Sequence, residues 1–298
     1  MNVLEIEGLT LRLPRTARPV LDGVDLTVGA AEIVALVGES GSGKSLTLRT
    51  ALGLLPRGAV AGGSVRVTGD DVLAMPPARL RDLRSHTVSM IFQDPRAGIN
   101  PVRRLGDFLT EGGPVERARE MLSAVGLTER VLRQYPHELS GGMLQRVMIA
   151  AALMGDPRLL LCDEPTTALD VTIQAEIVAL LAEVRGRFGT GMLFVTHDLE
   201  LAAAISDRVA VMYAGRIVEH GQAETLFAAP RHPYTAALLA ATPRVDLPDQ
   251  LPAAIQGQPP GLDRELPGCP FADRCPRVIE RCRTERPHLL EGVACHHG

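Results

Sequence analysis

Polar and apolar residues alternate with a period of two at the start of the chain, through residues 4–13 and again through 23–28. That period predicts strands of an antiparallel sheet. Glu32-Ile33-Val34-Ala35-Leu36-Val37 follows as a near-continuous apolar run, the pattern of a buried strand, and residues 45–55 read as a helix. Further strands are predicted at 65–68 and 88–92. From Pro95 to about Gly155 the spacing becomes mainly helical, broken by Gly, Asn and Pro. Leu159-Leu160-Leu161-Cys162 is a buried strand that runs into Asp163-Glu164-Pro165. A helix at 173–187, a buried strand at 192–196 and a short helix at 199–206 come next. Residues 208–213 and 216–219 read as a hairpin around Ala214-Gly215. Buried strands alternating with helices predict an α/β fold.

Past Ala241 the pattern stops. Pro243, Pro248, Pro252, Pro259, Pro260 and Pro267 punctuate a stretch that sustains neither a helix nor a central strand. It is read as an extended linker. The predicted organisation is a domain over 1–241, with a helical subdomain at about 95–157, followed by the linker and a cysteine-rich tail over 242–298. No internal repeat is visible.

Composition narrows the classes. The 298 residues suffice for one large domain, or one domain with an appendage, and 46% hydrophobic content supports a sizeable core. A net charge of −4 argues against a nucleic-acid coat or a polybasic membrane anchor. Aromatics make up 3% and tryptophan is absent, so stacking platforms for single strands are hard to assemble. No apolar run approaches the ~20 residues of a spanning helix. The first residues lack the basic start and apolar stretch of a signal peptide, which predicts a cytosolic location.

Lys44 is the only lysine; the other thirty basic residues are arginine. It sits in Gly38-Glu39-Ser40-Gly41-Ser42-Gly43-Lys44-Ser45, which fits the phosphate-binding pattern G-x-x-x-x-G-K-[ST]. A compact ammonium suits a tight phosphate nest better than a planar fork does. The flanking strand and helix are the context this motif requires. Backbone N–H groups of residues 41–45 would face nucleotide phosphates, Lys44 would bridge the β- and γ-phosphates, and the Ser45 hydroxyl would ligate Mg²⁺.

A second piece is the strand that delivers Asp163 and Glu164. Asp163 would hold Mg²⁺, and Glu164 would act as general base on the attacking water or orient it. The bland alternative is a turn acid before Pro165. A third piece is Leu139-Ser140-Gly141-Gly142-Met143-Leu144-Gln145-Arg146. Ser140 can cap a helix there, and Gly141 and Gly142 allow close backbone approach to an anion.

This third segment resembles the signature sequence of ATP-binding-cassette (ABC) proteins. Val195-Thr196-His197-Asp198 resembles that family's switch histidine, Ala168-Leu169-Asp170 its D-loop, and Ile91-Phe92-Gln93-Asp94-Pro95 its Q-loop. Six motifs stand in family order. The resemblance implies a P-loop NTPase (RecA-like) core with an antiparallel β subdomain and an α-helical subdomain, plus a C-terminal cysteine-rich extension. It implies that Lys44, Ser45, Leu46, Gln93, Asp163, Glu164 and His197 serve one ATP with Mg²⁺, with Gln93 among the metal's ligands. Ser140, Gly141, Gly142 and Asp170 would serve the ATP of a facing cassette. The sequence departs from the family at Leu13, where an adenine-stacking aromatic is usual; Arg12, Arg15 and Val20 are the candidate substitutes. Met143 replaces a glutamine, and Leu144 stands where a basic residue is common.

The tail narrows the resemblance. Residues 228–239, Gln256-Gly257-Gln258-Pro259-Pro260 and the closing cysteine motif are similar to the C-terminal extension of oligopeptide/dipeptide permease ATPases. The implied function is ATP hydrolysis that energises import of di- or oligopeptides or related small solutes. The implied partners are two integral-membrane permease subunits, a second related ATPase (a heterodimer before a homodimer) and an extracytoplasmic solute-binding protein, with no nucleic acid. The implied location is the cytoplasmic face of the inner membrane. Nickel chelates, opines or glutathione are alternative solutes. A soluble ABC ATPase and a cluster-bearing regulator are alternatives of another class. Cys269, Cys275, Cys282 and Cys295 lack close Cys-x2-Cys pairs, and four thiolates suit Zn²⁺ or a [4Fe–4S] cluster. The resemblance implies the cluster. His296 and His297 are spare donors, and Cys162 reads as a small core residue.

Overall fold

The structure is a computed structural model, and it describes residues 1–167, 169–242 and 253–297. Pro243, Pro248 and Pro252 of the linker and Ala168 of the D-loop motif lie outside the described residues. The elements run β1 (Asn2–Arg12), β2 (Leu21–Gly29), β3 (Ile33–Val37), α1 (Lys44–Ala51), β4 (Val60–Val67), β5 (Asp70–Asp71), α2 (Pro77–His86), β6 (Val88–Ile91), α3 (Leu105–Leu109), α4 (Val115–Ala124) and α5 (Gly141–Ala152). They continue with β7 (Leu159–Asp163), α6 (Val171–Phe188), β8 (Gly191–Thr196), α7 (Leu199–Ile205), β9 (Arg208–Tyr213), β10 (Arg216–Gln222), α8 (Ala223–Ala228), α9 (Pro233–Ala240) and α10 (Glu280–Thr284).

Two compact units emerge. The first comprises Met1–Leu4, Val28–Ile33 and Arg66–Val195. In it β6, β7 and β8 pair in parallel, with Met90 opposite Leu161 and Leu161 opposite Leu193. Every residue of β7 is buried, so a continuous apolar run reads as a strand covered on both faces. α3, α4 and α5 occupy the predicted helical stretch, joined by short 3₁₀ turns.

The second unit comprises Glu5–Thr27, Val34–Val65 and Thr196–Gly298. β3 pairs in parallel with β9, and β9 forms an antiparallel hairpin with β10. Ala214 and Gly215 turn that hairpin at φ of +48° and +87°, the left-handed pair a tight two-residue turn demands. The cysteine-rich tail docks on this unit. His220 N–H donates to the Gly292 carbonyl and Ala294 N–H to that of Val218, which lays the tail's end along β10. Phe271 is fully buried, 5.3 Å from the rings of both Tyr213 and Tyr234. His232 caps α9; its Nδ1 accepts from Tyr234 N–H, and burial pushes its pKa down to about 4, so it packs as the neutral ring.

Several boundaries differ from expectation for local reasons. α1 ends at Ala51, earlier than predicted, because Gly53 turns left-handed and Leu54 N–H closes back on the Arg49 carbonyl. β4 begins at Val60, five residues early. A Cβ on Gly63 would overlap the backbone of Glu7 and Gly8, so glycine there reflects close strand approach and leaves no alternation to read. β10 runs on to Gln222. α8 is too short for periodicity to reveal, and α9 is apolar nearly all round. Replacing Phe271 with Ala is expected to lower stability by about 3–5 kcal/mol and expose residues 269–295 to protease. Urea denaturation and limited proteolysis of the full chain measure both.

Candidate functional site

In the second unit the buried strand β3 stops at Val37 and hands the chain to the glycine loop. Gly38 has φ of +148°, and an added Cβ would overlap the carbonyl oxygen of Met212. Gly43 has φ of +112°, and its Cβ would lie 2.7 Å from a methyl of Leu21. Both positions are closed to any side chain. Gly41 is open but left-handed at +79°. The Lys44 ammonium is buried and donates to the carbonyls of Gly38 at 2.7 Å and Glu39 at 3.0 Å. It therefore folds over the loop that a phosphate would occupy. Gly43 caps α1 without a side-chain hydrogen bond, and the first turn carries no acid. The helix N-terminus therefore presents backbone donors and a positive dipole end, the requirement of a phosphate site. Ser42 Oγ is buried with no partner among the described residues. Ser40 and Gly41 are exposed, while Ser45 and Leu46 are half-buried.

In the first unit β7 ends with Asp163, which is buried, and Glu164, which is half-buried. Glu164 has φ of +47°, a conformation residues with a Cβ seldom adopt. Its N–H donates to the Val195 carbonyl at 3.0 Å, which fixes this turn against β8. The carboxylate accepts from Gln93 Nε2 at 3.1 Å and from Thr167 Oγ1 at 3.0 Å on the same oxygen, Oε2. Gln93 and Glu164, 71 positions apart, are thus brought together. Thr167 was not singled out from the sequence; its place three residues after Glu164 was the only available signal.

Ser140 caps α5, as expected, its Oγ accepting from Met143 N–H at 3.3 Å. Gly142 has a reason the sequence did not show: a Cβ there would lie 2.6 Å from Ile173 Cγ2 of α6. Helix packing requires that glycine, whereas Gly141 is exposed and leaves room for approach. Leu144 is buried in the core, so a charged side chain at that position would have no water to reach. Asp170 caps α6, accepting from Ile173 N–H at 3.0 Å. His197 lies exposed just past the end of β8. Of the candidate adenine contacts, Val20 is buried and Arg12 donates to the carbonyls of Thr16 and Ala17; Arg15 is exposed.

Cys269, Cys275, Cys282 and Cys295 line one cavity with Pro233, Phe271, Pro287 and His296. Burial pushes the Cys269 thiol up to about 11, and the nearby thiols Cys282, Cys275 and Cys295 push it the same way. The expected metal is not matched by a metal-type grouping: among the described residues no three His, Cys, Asp or Glu side chains stand together to hold a metal ion. Cys162 is fully buried in β7, a core residue as expected.

Residues 21–167 match the ABC transporter family, and residues 218–282 match the oligopeptide/dipeptide transporter C-terminal region. The chain is 42% identical to the oligopeptide transport ATP-binding protein AppD of Bacillus subtilis, over 97% of this chain and 93% of that protein. It is 44% identical to the oligopeptide transport ATP-binding protein OppD of Salmonella typhimurium, over 96% and 89% respectively. The chain belongs to the ABC transporter family, in its oligopeptide branch. Among solved structures it is similar to the ABC cassette MJ0796 in a dimeric post-hydrolysis state bound to ADP and Pi, with a TM-score of 0.65 and 26% identity, covering 74% of this chain and 98% of that one. It is also similar to cbiO1 of Clostridium perfringens, part of the cbiONQ ABC transporter complex, with a TM-score of 0.68 and 26% identity, covering 76% and 91%. These likenesses establish an ABC ATPase P-loop fold, and neither spans the whole chain or bears out the cysteine-rich extension. No helix among the described residues is long and apolar enough to cross a membrane.

Gly142→Ala is expected to destabilise the protein by about 1–3 kcal/mol through overlap with Ile173. Gly142→Ala/Ile173→Ala should recover much of that loss. Urea midpoints of the two variants measure it.

Proposed function

We propose that this chain is the ATP-hydrolysing subunit of an importer for di- or oligopeptides. The observation that carries this reading is the Glu164 carboxylate, held in a strained turn by Gln93 and Thr167. Strain of this kind persists where the surroundings fix it, and it gathers at functional sites. In the proposed roles Lys44 and the N–H groups of residues 41–45 bind the β- and γ-phosphates. Ser45, Gln93 and Asp163 hold Mg²⁺, which neutralises phosphate charge. Glu164 takes a proton from the attacking water, with Gln93 and Thr167 orienting it, and His197 senses the γ-phosphate. Ser140, Gly141, Gly142 and Asp170 serve the nucleotide of a facing cassette. Glu39, Ser40, Ser42 and Leu46 shape the loop and its helix.

The domain reading that goes with this keeps the ATPase domain at 1–241, its helical part at about 95–157, and the linker and tail at 242–298. The partners proposed are two permease subunits, an external solute-binding protein and a related second ATPase, with the chain at the cytoplasmic face of the membrane. A cleft of about 570 Å³ in the first unit, lined by residues including His86, Phe108, Leu109 and Met154, supports a docking place for a permease segment. For the tail, the proposed group is a [4Fe–4S] cluster on Cys269, Cys275, Cys282 and Cys295. Four thiols around one largely apolar cavity support it. When bound, the cluster would cross-link the tail.

Glu164→Gln should retain ATP affinity and lose turnover by about 10²–10⁴-fold, while Lys44→Ala should weaken ATP binding itself. Nucleotide-binding and phosphate-release assays on the purified chain separate the two; near-normal turnover in Glu164→Gln would remove Glu164 from this role. Anaerobically purified protein should contain iron and acid-labile sulfide, and one zinc per chain without iron would overturn the cluster reading.

A further inference from the structure

Glu39 occupies an unspecified position of the phosphate-loop pattern, yet each of its polar groups is engaged. Its carboxylate accepts a two-pronged pair of hydrogen bonds from Arg274, Nη1 at 2.6 Å and Nη2 at 2.9 Å. Its N–H donates to Tyr234 Oη at 2.8 Å. Its carbonyl accepts from Lys44 Nζ at 3.0 Å. Two of these three attachments come from residues far along the chain, one on α9 and one in the cysteine motif.

Arg274 is built in, not draped over the surface. Its side chain is 4% exposed against 25% for Glu39. The guanidinium also donates to Tyr213 Oη and to the carbonyls of Gln256 and Ile255. It lies 5.7 Å from the Tyr213 ring centroid and 5.9 Å from that of Phe271. A planar fork supplies this many directed donors at once, which a lysine cannot.

We infer that Arg274 is a positioning residue for ATP binding, acting through Glu39 to hold the phosphate loop in its receptive shape. The inference rests on the reading of residues 38–45 as that loop. Two effects follow from elementary physics. The loop contains three left-handed glycines, so chain freedom not removed beforehand must be removed on binding, at the expense of affinity. A carboxylate beside a triphosphate also repels it unless its charge is paired. Arg274 meets both needs, and it does so from between Cys269 and Cys275, so an undocked tail would loosen the nucleotide site.

The test is ATP affinity of the full-length chain, measured by competition with a fluorescent nucleotide. Arg274→Met should raise Kd about tenfold and Arg274→Lys about threefold, the loss of a two-pronged charged hydrogen bond spread partly over the free loop. Glu39→Gln should cost less, because it removes the repulsive charge along with the tether. The Glu39→Gln/Arg274→Met double variant should bind no more weakly than Arg274→Met alone, since the second residue acts only through the first. In the assembled transporter, KM for ATP should rise in Arg274→Met while kcat changes less than about twofold. An unchanged Kd in Arg274→Met, or a double variant whose loss is the product of the single losses, overturns the inference. Should Arg274→Met fail to fold, Arg274→Lys decides it, and an unchanged Kd there overturns it equally. Lys44→Ala stands apart as the control: if it binds ATP normally, the phosphate-loop reading itself has failed.

Discussion

A strand buried on both faces can present polar chemistry only at its ends. β3 and β7 are such strands, each five residues long and buried throughout. Their backbone groups are engaged in pairing, as burial demands, so every ligand-facing atom has to come from the first residues after the strand. In both cases the chain leaves through a conformation ordinary residues avoid. Gly38 takes φ of +148° after β3, and Glu164 takes +47° after β7. The first turn is available only to glycine. The second is occupied by a residue whose carboxylate the turn aims toward Gln93 and Thr167. In each unit an unusual backbone turn ends a buried strand.

The tail extends this logic. On its own a glycine-rich loop is soft, and α1 restrains only one end of it. The end that leaves β3 is further held from outside by Tyr234 on the Glu39 N–H and Arg274 on the Glu39 carboxylate. Those two residues share an aromatic cluster with Tyr213 and Phe271, whose rings lie 4.5 to 5.3 Å apart. Only six phenylalanines and three tyrosines occur in the chain. Three of those nine converge where the tail meets the loop, which places the largest apolar contacts where ordering is most needed.

How far the sequence disclosed this depended on the kind of signal. β3, β7 and β8 were legible because continuous burial leaves a continuous apolar run, and the hairpin because Ala214-Gly215 marks its turn. Lys44, Asp163 and Glu164 were legible because their spacing and flanking strands carry a chemical meaning. β4's start was not, since Gly63 answers to the backbone of Glu7 and Gly8 and Gly62 to the Thr10 hydroxyl, and neither shows alternation. The tether on Glu39 was also hidden. Its partners stand 195 and 235 positions away, and nothing in a single sequence marks which arginine among thirty will find that carboxylate. The packing need at Gly142 was hidden as well: a Cβ there would meet Ile173, 31 positions away.

Asp163 and Glu164 are adjacent in sequence and differ in what surrounds them. Asp163 closes β7 with its side chain buried, where a carboxylate needs a compensating charge or donors close at hand. Glu164 is partly open to water, and two neutral donors converge on one of its oxygens. Both bonds fall on Oε2, so the carboxylate is oriented. In the proposed roles Asp163 holds a cation and Glu164 accepts a proton; the burial of the first and the two donors that orient the second support that division. The left-handed turn at Glu164 separates them: with an extended backbone there, neighbouring side chains would fall on opposite faces.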